Sequence, residues 1–104
     1  MPDRYHVKVM PRASGDIVSI CAYIEQDSSQ NAALVAQEIL DSIDSLSLFP
    51  QRYKVHEHRK DPSKTVRSMP VPPFVVYYRI IERLAAVEVL TVRHGSRRRP
   101  GRLG

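Results

Sequence analysis

Tyr5, Val7 and Val9 alternate with His6, Lys8 and Met10, the two-residue period of a half-buried strand. Pro11 closes the alternation. Ala13, Ile17, Ile20, Cys21 and Ile24 then return at three- and four-residue intervals, the spacing of one helix face. Asp27-Ser28-Ser29 interrupts that stripe with short oxygen-bearing side chains, which accept hydrogen bonds from the free N–H groups of a new helix start. The stripe resumes as Ala32, Val35, Ala36, Ile39, Leu40, Ile43, Leu46 and Phe49, with Glu38, Asp41 and Asp44 off it. Phe49-Pro50 ends the second helix, because proline drives the residue before it out of the helical region. Two amphipathic helices with a short polar joint predict a helical hairpin.

From Gln51 to Lys64 the chain is polar and without period, a loop with a short edge strand at Tyr53 to His56. Thr65 to Val71 reads as extended and is limited by Pro70, Pro72 and Pro73. Phe74 to Ile80 is β-branched and aromatic, the composition of a central strand. Glu82-Arg83 turns the chain into a last strand, Ala86 to Arg93, which Gly95 closes. The expected fold is therefore α/β, with a two-helix hairpin packed on one face of a small antiparallel β-sheet in βααβββ order. The domain is expected over residues 1–95, followed by a basic C-terminal tail at 96–104.

A chain of 104 residues suits one modest core, and 42% hydrophobic with 26% charged residues is ordinary globular usage. The start lacks the apolar run of a signal peptide, and no stretch approaches a spanning helix. Cys21 is the single cysteine, so an intramolecular disulfide is excluded and a cytoplasmic location is expected. Its place on the apolar stripe makes it a core residue and not a nucleophile. His56 and His58 sit in a loop with only Glu57 at ligand spacing, a poor metal site. Neither a metal nor, in the absence of a glycine-rich phosphate loop, a nucleotide cofactor is expected.

Sixteen Lys and Arg against eleven Asp and Glu give a net charge of +5, which favours an anionic partner. Arg93, Arg97, Arg98, Arg99 and Arg102 fall in one stretch without an acidic residue. Their planar donor forks suit phosphate or carboxylate, and the alternative is a solvated tail.

The residues now named carry a resemblance. Tyr5-x-Val7-x-Val9, then Ala13, Asp16-Ile17, Ile20 and Tyr23-Ile24, then Leu46 with Phe49-Pro50, are similar to the RelE/ParE toxin superfamily, closer to ParE-like members. Arg67-Ser-Met-Pro-Val71, Phe74-Val-Val-Tyr-Tyr-Arg79 and Val89-Leu-Thr-Val-Arg-His94-Gly95 continue it, so that it runs from Tyr5 to Pro100. Many members have proline where Ser29 stands, a difference without functional consequence. The resemblance implies the toxin of a type II toxin–antitoxin pair, neutralised by a cognate antitoxin wrapped over its surface. Two activities divide the superfamily: RelE-like members cut messenger RNA on the ribosome, and ParE-like members poison DNA gyrase.

Cutting RNA without a metal needs a base, an acid and cations for the phosphorane charge. The resemblance to RelE-like nucleases points to Arg67 and Arg79 as phosphate holders and His94 as acid or base. Strand alternation places Tyr77 and Arg79 on the face of the central strand opposite Phe74, Val76, Tyr78 and Ile80, where they either meet a ligand or only cover the sheet. His94 is equally a structural histidine before the Gly95 turn, and a Val-x-His-Gly ending also occurs in ParE-like members. Arg52, Lys54, Arg59 and Lys60 are sparser than the lysine set of the RelE-like nucleases. The balance favours a ParE-like, non-enzymatic toxin, with Tyr77, Arg93, Arg97, Arg98 and Arg99 contacting gyrase or antitoxin. A ribosome-dependent endoribonuclease acting on mRNA is the second reading, and a non-toxic RNA- or protein-binding module is the third.

Overall fold

The computed structural model describes residues 3–95; the tail expected at 96–104, with Arg97, Arg98 and Arg99, lies outside the described residues. The first strand, β1 (His6–Val9), leads through Met10 into α1 (Pro11–Glu25). Pro11 stands in the first turn of α1, where its missing N–H costs nothing and its fixed φ suits the helix. The chain then reverses into α2 (Ser29–Asp44), whose cap is Ser28, its Oγ accepting from the Asn31 N–H at 3.1 Å. Cys21 packs against the core, its Sγ 4.0 Å from the Ala32 carbonyl of the neighbouring helix.

The second helix stops at Asp44 and passes into a 3-10 turn at Ser45–Ser47, five residues before the expected end. Phe49 does not continue the buried stripe: it adopts φ 48°, ψ 58° and is 76% exposed. Left-handed geometry is uncommon for a bulky residue, and here the Arg52 guanidinium holds it by donating to the Ser45, Leu48 and Phe49 carbonyls.

Four further strands follow, β2 (Val55–Glu57), β3 (Val66–Val71), β4 (Phe74–Ile81) and β5 (Ala86–His94), in the spatial order β1-β5-β4-β3-β2. β3 to β5 form the expected antiparallel meander, and β2, the short edge strand expected at Tyr53 to His56, adds a fourth strand to it at Val55–Glu57. The sheet as a whole is mixed, because β1 pairs with β5 in parallel, His6 N–H donating to Ala85 O and Met10 N–H to Val89 O. Local connections predict hairpins only; the adjacency of first and last strands is decided by closing the sheet over the helices. Pro70 is tolerated inside β3 because β2 reaches only as far as Ser68, whose N–H donates to Lys54 O at 3.0 Å. Two residues on, the Pro70 nitrogen faces the same, now unpaired, edge.

Phe74, Val76, Tyr78 and Ile80 of β4 face the helices and join Ala13, Ile17, Ile39, Ile43 and Leu46 in one core, as the alternation predicts. β5 carries a bulge at Leu90: Tyr77 pairs with Thr91 and Tyr78 with Val89. The extra residue puts both Val89 and Val92 into the core.

Candidate functional site

Cross-strand partners share a face of the sheet, so the register assigns every candidate its side. On the face away from the helices, Val75 pairs with Arg93 and Pro70, Tyr77 with Thr91 and Ser68, and Arg79 with Glu88 and Val66. Of the two readings open to Tyr77, meeting a ligand or covering the sheet, its burial matches the second. Tyr77 is only 4% exposed, and the His56 ring stands edge-on to it at 4.8 Å. Arg79 lies on this face as predicted but is half-buried and committed, its Nε 2.7 Å from Glu88 Oε1. Arg93 is half-buried beside it, its Nε donating to Thr91 Oγ1 at 3.3 Å.

Arg67 and His94 belong to the other face. Arg67 pairs with Tyr78, and its Nη1 donates to Gln51 O at 3.1 Å and Tyr53 O at 2.7 Å, tying β3 to the preceding loop. Next to it, the buried Tyr78 hydroxyl donates to Pro50 O. Burial pushes this phenol far above its ordinary range, a shift that the Arg67 and Arg52 charges only partly oppose. His94 pairs with Phe74 at the opposite end of β4 and packs against that ring at 5.5 Å, nearly perpendicular.

The three residues proposed for chemistry are therefore not brought together. Arg79 is separated from Arg67 by the sheet itself. His94 and Arg79 are registered at Phe74 and Arg79, five residues apart along β4, or about 16 Å at the rise of a strand. A general acid must reach its oxygen within hydrogen-bonding distance or through one water, and the register does not gather the three around one point.

Two polar constellations went unassigned in the sequence. Asp16, visible only as part of a local motif, accepts from Thr91 Oγ1 and from the Val92 N–H at 3.0 Å. Tyr5, Gln51 and Glu82 form a closed triangle: Tyr5 OH donates to Glu82 at 2.7 Å, and Gln51 Nε2 to Tyr5 OH at 2.8 Å and Glu82 at 2.9 Å. Burial and the Glu82 carboxylate together raise the Tyr5 phenol above its usual value. These residues are 31 to 77 positions apart in the chain, so no spacing rule finds them. Among the described residues, no group of three or more His, Cys, Asp or Glu side chains is placed to hold a metal ion, and no helix is long and apolar enough to cross a membrane.

Comparison with known structures places this arrangement. The chromosomal ParDE toxin–antitoxin system from P. aeruginosa superposes with a TM-score of 0.69 at 17% identity, over 89% of this chain and 98% of that one. The archaeal RelE–RelB complex from Pyrococcus horikoshii OT3 gives 0.65 at 13% identity, over 91% and 99%. The toxin–antitoxin complex RelBE2 from Mycobacterium tuberculosis gives 0.58 at 20% identity, over 90% and 94%. Identities this low establish a shared fold. No curated protein matches the sequence. A family model does, however, over residues 7–99, that of the ParE toxin of the type II toxin–antitoxin system parDE. Helical hairpin, five-stranded mixed sheet and that match together identify the chain as a member of the ParE toxin family within the RelE/ParE superfamily.

Proposed function

We propose that this chain is a non-enzymatic ParE-like toxin that inhibits DNA gyrase and is neutralised by binding a cognate antitoxin. The observation that carries the reading is the dispersal of Arg67, Arg79 and His94 over two faces and two ends of the sheet. Metal-independent RNA cleavage requires an acid, a base and phosphate-stabilising cations around one phosphorus. Each of these three side chains instead holds a neighbour in place: Arg67 a loop, Arg79 a carboxylate on β5, His94 the Phe74 ring. The family match over residues 7–99 supports the same side of the division. An antitoxin partner is supported by structural relatives that are toxin–antitoxin complexes. A cytoplasmic site of action follows from both partners.

The test pairs a supercoiling assay on purified gyrase with toeprinting of translating ribosomes, each with and without the protein encoded by the neighbouring reading frame. Blocked supercoiling or trapped cleaved DNA, with intact messenger RNA and reversal by the neighbouring product, is the expected result. Codon-positioned RNA cuts that vanish in Arg79→Ala or His94→Ala would overturn it in favour of the endoribonuclease.

A further inference from the structure

A cleft of about 270 Å³ opens between the loop that precedes β3 and the far end of β4, lined among others by Val55, His58, Lys60, Pro62, Arg67 and Ile80. None of the functional groups placed on the outer face of the sheet lines it. Its volume is below the roughly 300–1,000 Å³ of small-molecule pockets, so it suits one or two side chains of a bound polypeptide and not a cofactor.

Its chemistry is two-sided. Val55, Pro62 and Ile80 make an apolar lining, which favours burial of an aliphatic group. Arg67 brings a fixed charge, because both of its hydrogen bonds run through Nη1 to Gln51 O and Tyr53 O, leaving the donors on Nε and Nη2. Lys60 is exposed and makes no hydrogen bond or ion pair among the described residues, and His58 is exposed beside it. Arg59 is neutralised by Glu57 at 2.7 Å. Across the cleft Glu82 is held by Tyr5 and Gln51. The balance is one excess positive charge, enough for a single carboxylate, whereas a dianionic phosphate would meet Glu82 and apolar walls.

We propose that this cleft is an anchor site for the antitoxin, receiving a carboxylate side chain flanked by aliphatic ones from an extended acidic segment. The proposal rests on the toxin–antitoxin reading for the partner's identity, and on charge complementarity between an acidic peptide and Arg67 with Lys60 for its chemistry. The same end of the molecule carries exposed apolar groups on the turns that supply two cleft residues, with Leu48 and Phe49 just before Gln51 and Leu84 just after Glu82. An aliphatic peptide leaving the cleft would have further apolar surface to cover.

Two arms test it with the full chain. In the first, amide NMR spectra are recorded while adding acetyl-Leu-Glu-Leu-amide, its Gln counterpart, or inorganic phosphate. Saturable shifts clustered at His58, Lys60, Thr65 and Arg67 are expected for the Glu peptide, at least tenfold weaker for the Gln peptide and lost in Lys60→Glu. Absence of cleft shifts, equal binding of the Gln peptide, or the same shifts from phosphate alone each overturn the proposal, the last in favour of a nucleic-acid or oxyanion site. In the second arm, the affinity of the neighbouring-frame antitoxin is expected to fall at least tenfold in Lys60→Glu and little in Lys8→Glu on β1, at the other edge of the sheet. Equal losses in both variants would mean general charge attraction and overturn the site. An antitoxin that fails to bind even the native chain would refute the toxin–antitoxin reading, while the tripeptide still decides the cleft.

Discussion

Tyr78 shows how one side chain can tie sequence pattern to stability. Alternation puts it on the core face of β4, and burial there obliges its hydroxyl to find an acceptor, which Pro50 O supplies. Its pKa is raised from the ordinary 10.0, so the folded state holds the phenolic proton more tightly than the unfolded chain does. That contribution is fully present below about pH 10 and is lost as the pH rises above it. Tyr5 is shifted in the same direction, by burial first and Glu82 second. In urea unfolding at neutral pH, Tyr78→Phe should cost about 1–2 kcal/mol, the net value of the bond plus the acceptor left unpaired. Between pH 9 and 11 the native chain should lose stability more steeply than Tyr78→Phe. Parallel alkaline slopes would mean that this phenol does not titrate with unfolding.

At the scale of elements, β1 ends where Pro11 starts α1, so past Val89 the edge of β5 opposite β4 has no strand beside it. Asp16 on α1 supplies the missing acceptor for the Val92 N–H and takes the Thr91 hydroxyl as well, joining helix to sheet at the β5 bulge. Asp16→Ala should therefore destabilise by roughly 1–3 kcal/mol, the range for a buried donor left unsatisfied, with Asp16→Asn in between because its amide oxygen can still accept. A chemical melt that ranks Asn no better than Ala would assign the effect to charge and not to the acceptor. At the other helix, Ser28→Ala should cost about 1 kcal/mol through the lost cap. Hairpin, core face of β4 and meander were all legible in the sequence, since each follows from a period of two or 3.6. The parallel β1–β5 pair and the early end of α2 were not. The first depends on contacts 80 residues apart, as in His6 with Ala86. The second depends on Arg52 capturing three carbonyls of the turn and turning Phe49 outward.

Over the whole molecule, the candidate residues were found by type and strand position, but their relations were not, because a one-residue step along a strand changes the face. The resemblance to RelE-like nucleases casts Arg67 and Arg79 as phosphate holders, and the register puts them on opposite sides of the sheet. This separation is what our non-enzymatic reading leans on, and coupling between the residues puts it to the test. Members of a catalytic unit are grossly non-additive, since removing one already disables the site. Residues more than about 7–10 Å apart that share no partner add to within roughly 0.3–0.5 kcal/mol. Arg79 and His94 are registered about 16 Å apart by strand rise and hold different neighbours, Glu88 and Phe74. The cycle of Arg79→Ala, His94→Ala and the double variant should thus give coupling energies below about 0.5 kcal/mol, both in unfolding free energy and in the logarithm of gyrase inhibition. Single variants that each weaken gyrase inhibition, with a double variant no worse than either while stability remains additive, would instead reveal a shared site that the sheet holds apart in this conformation.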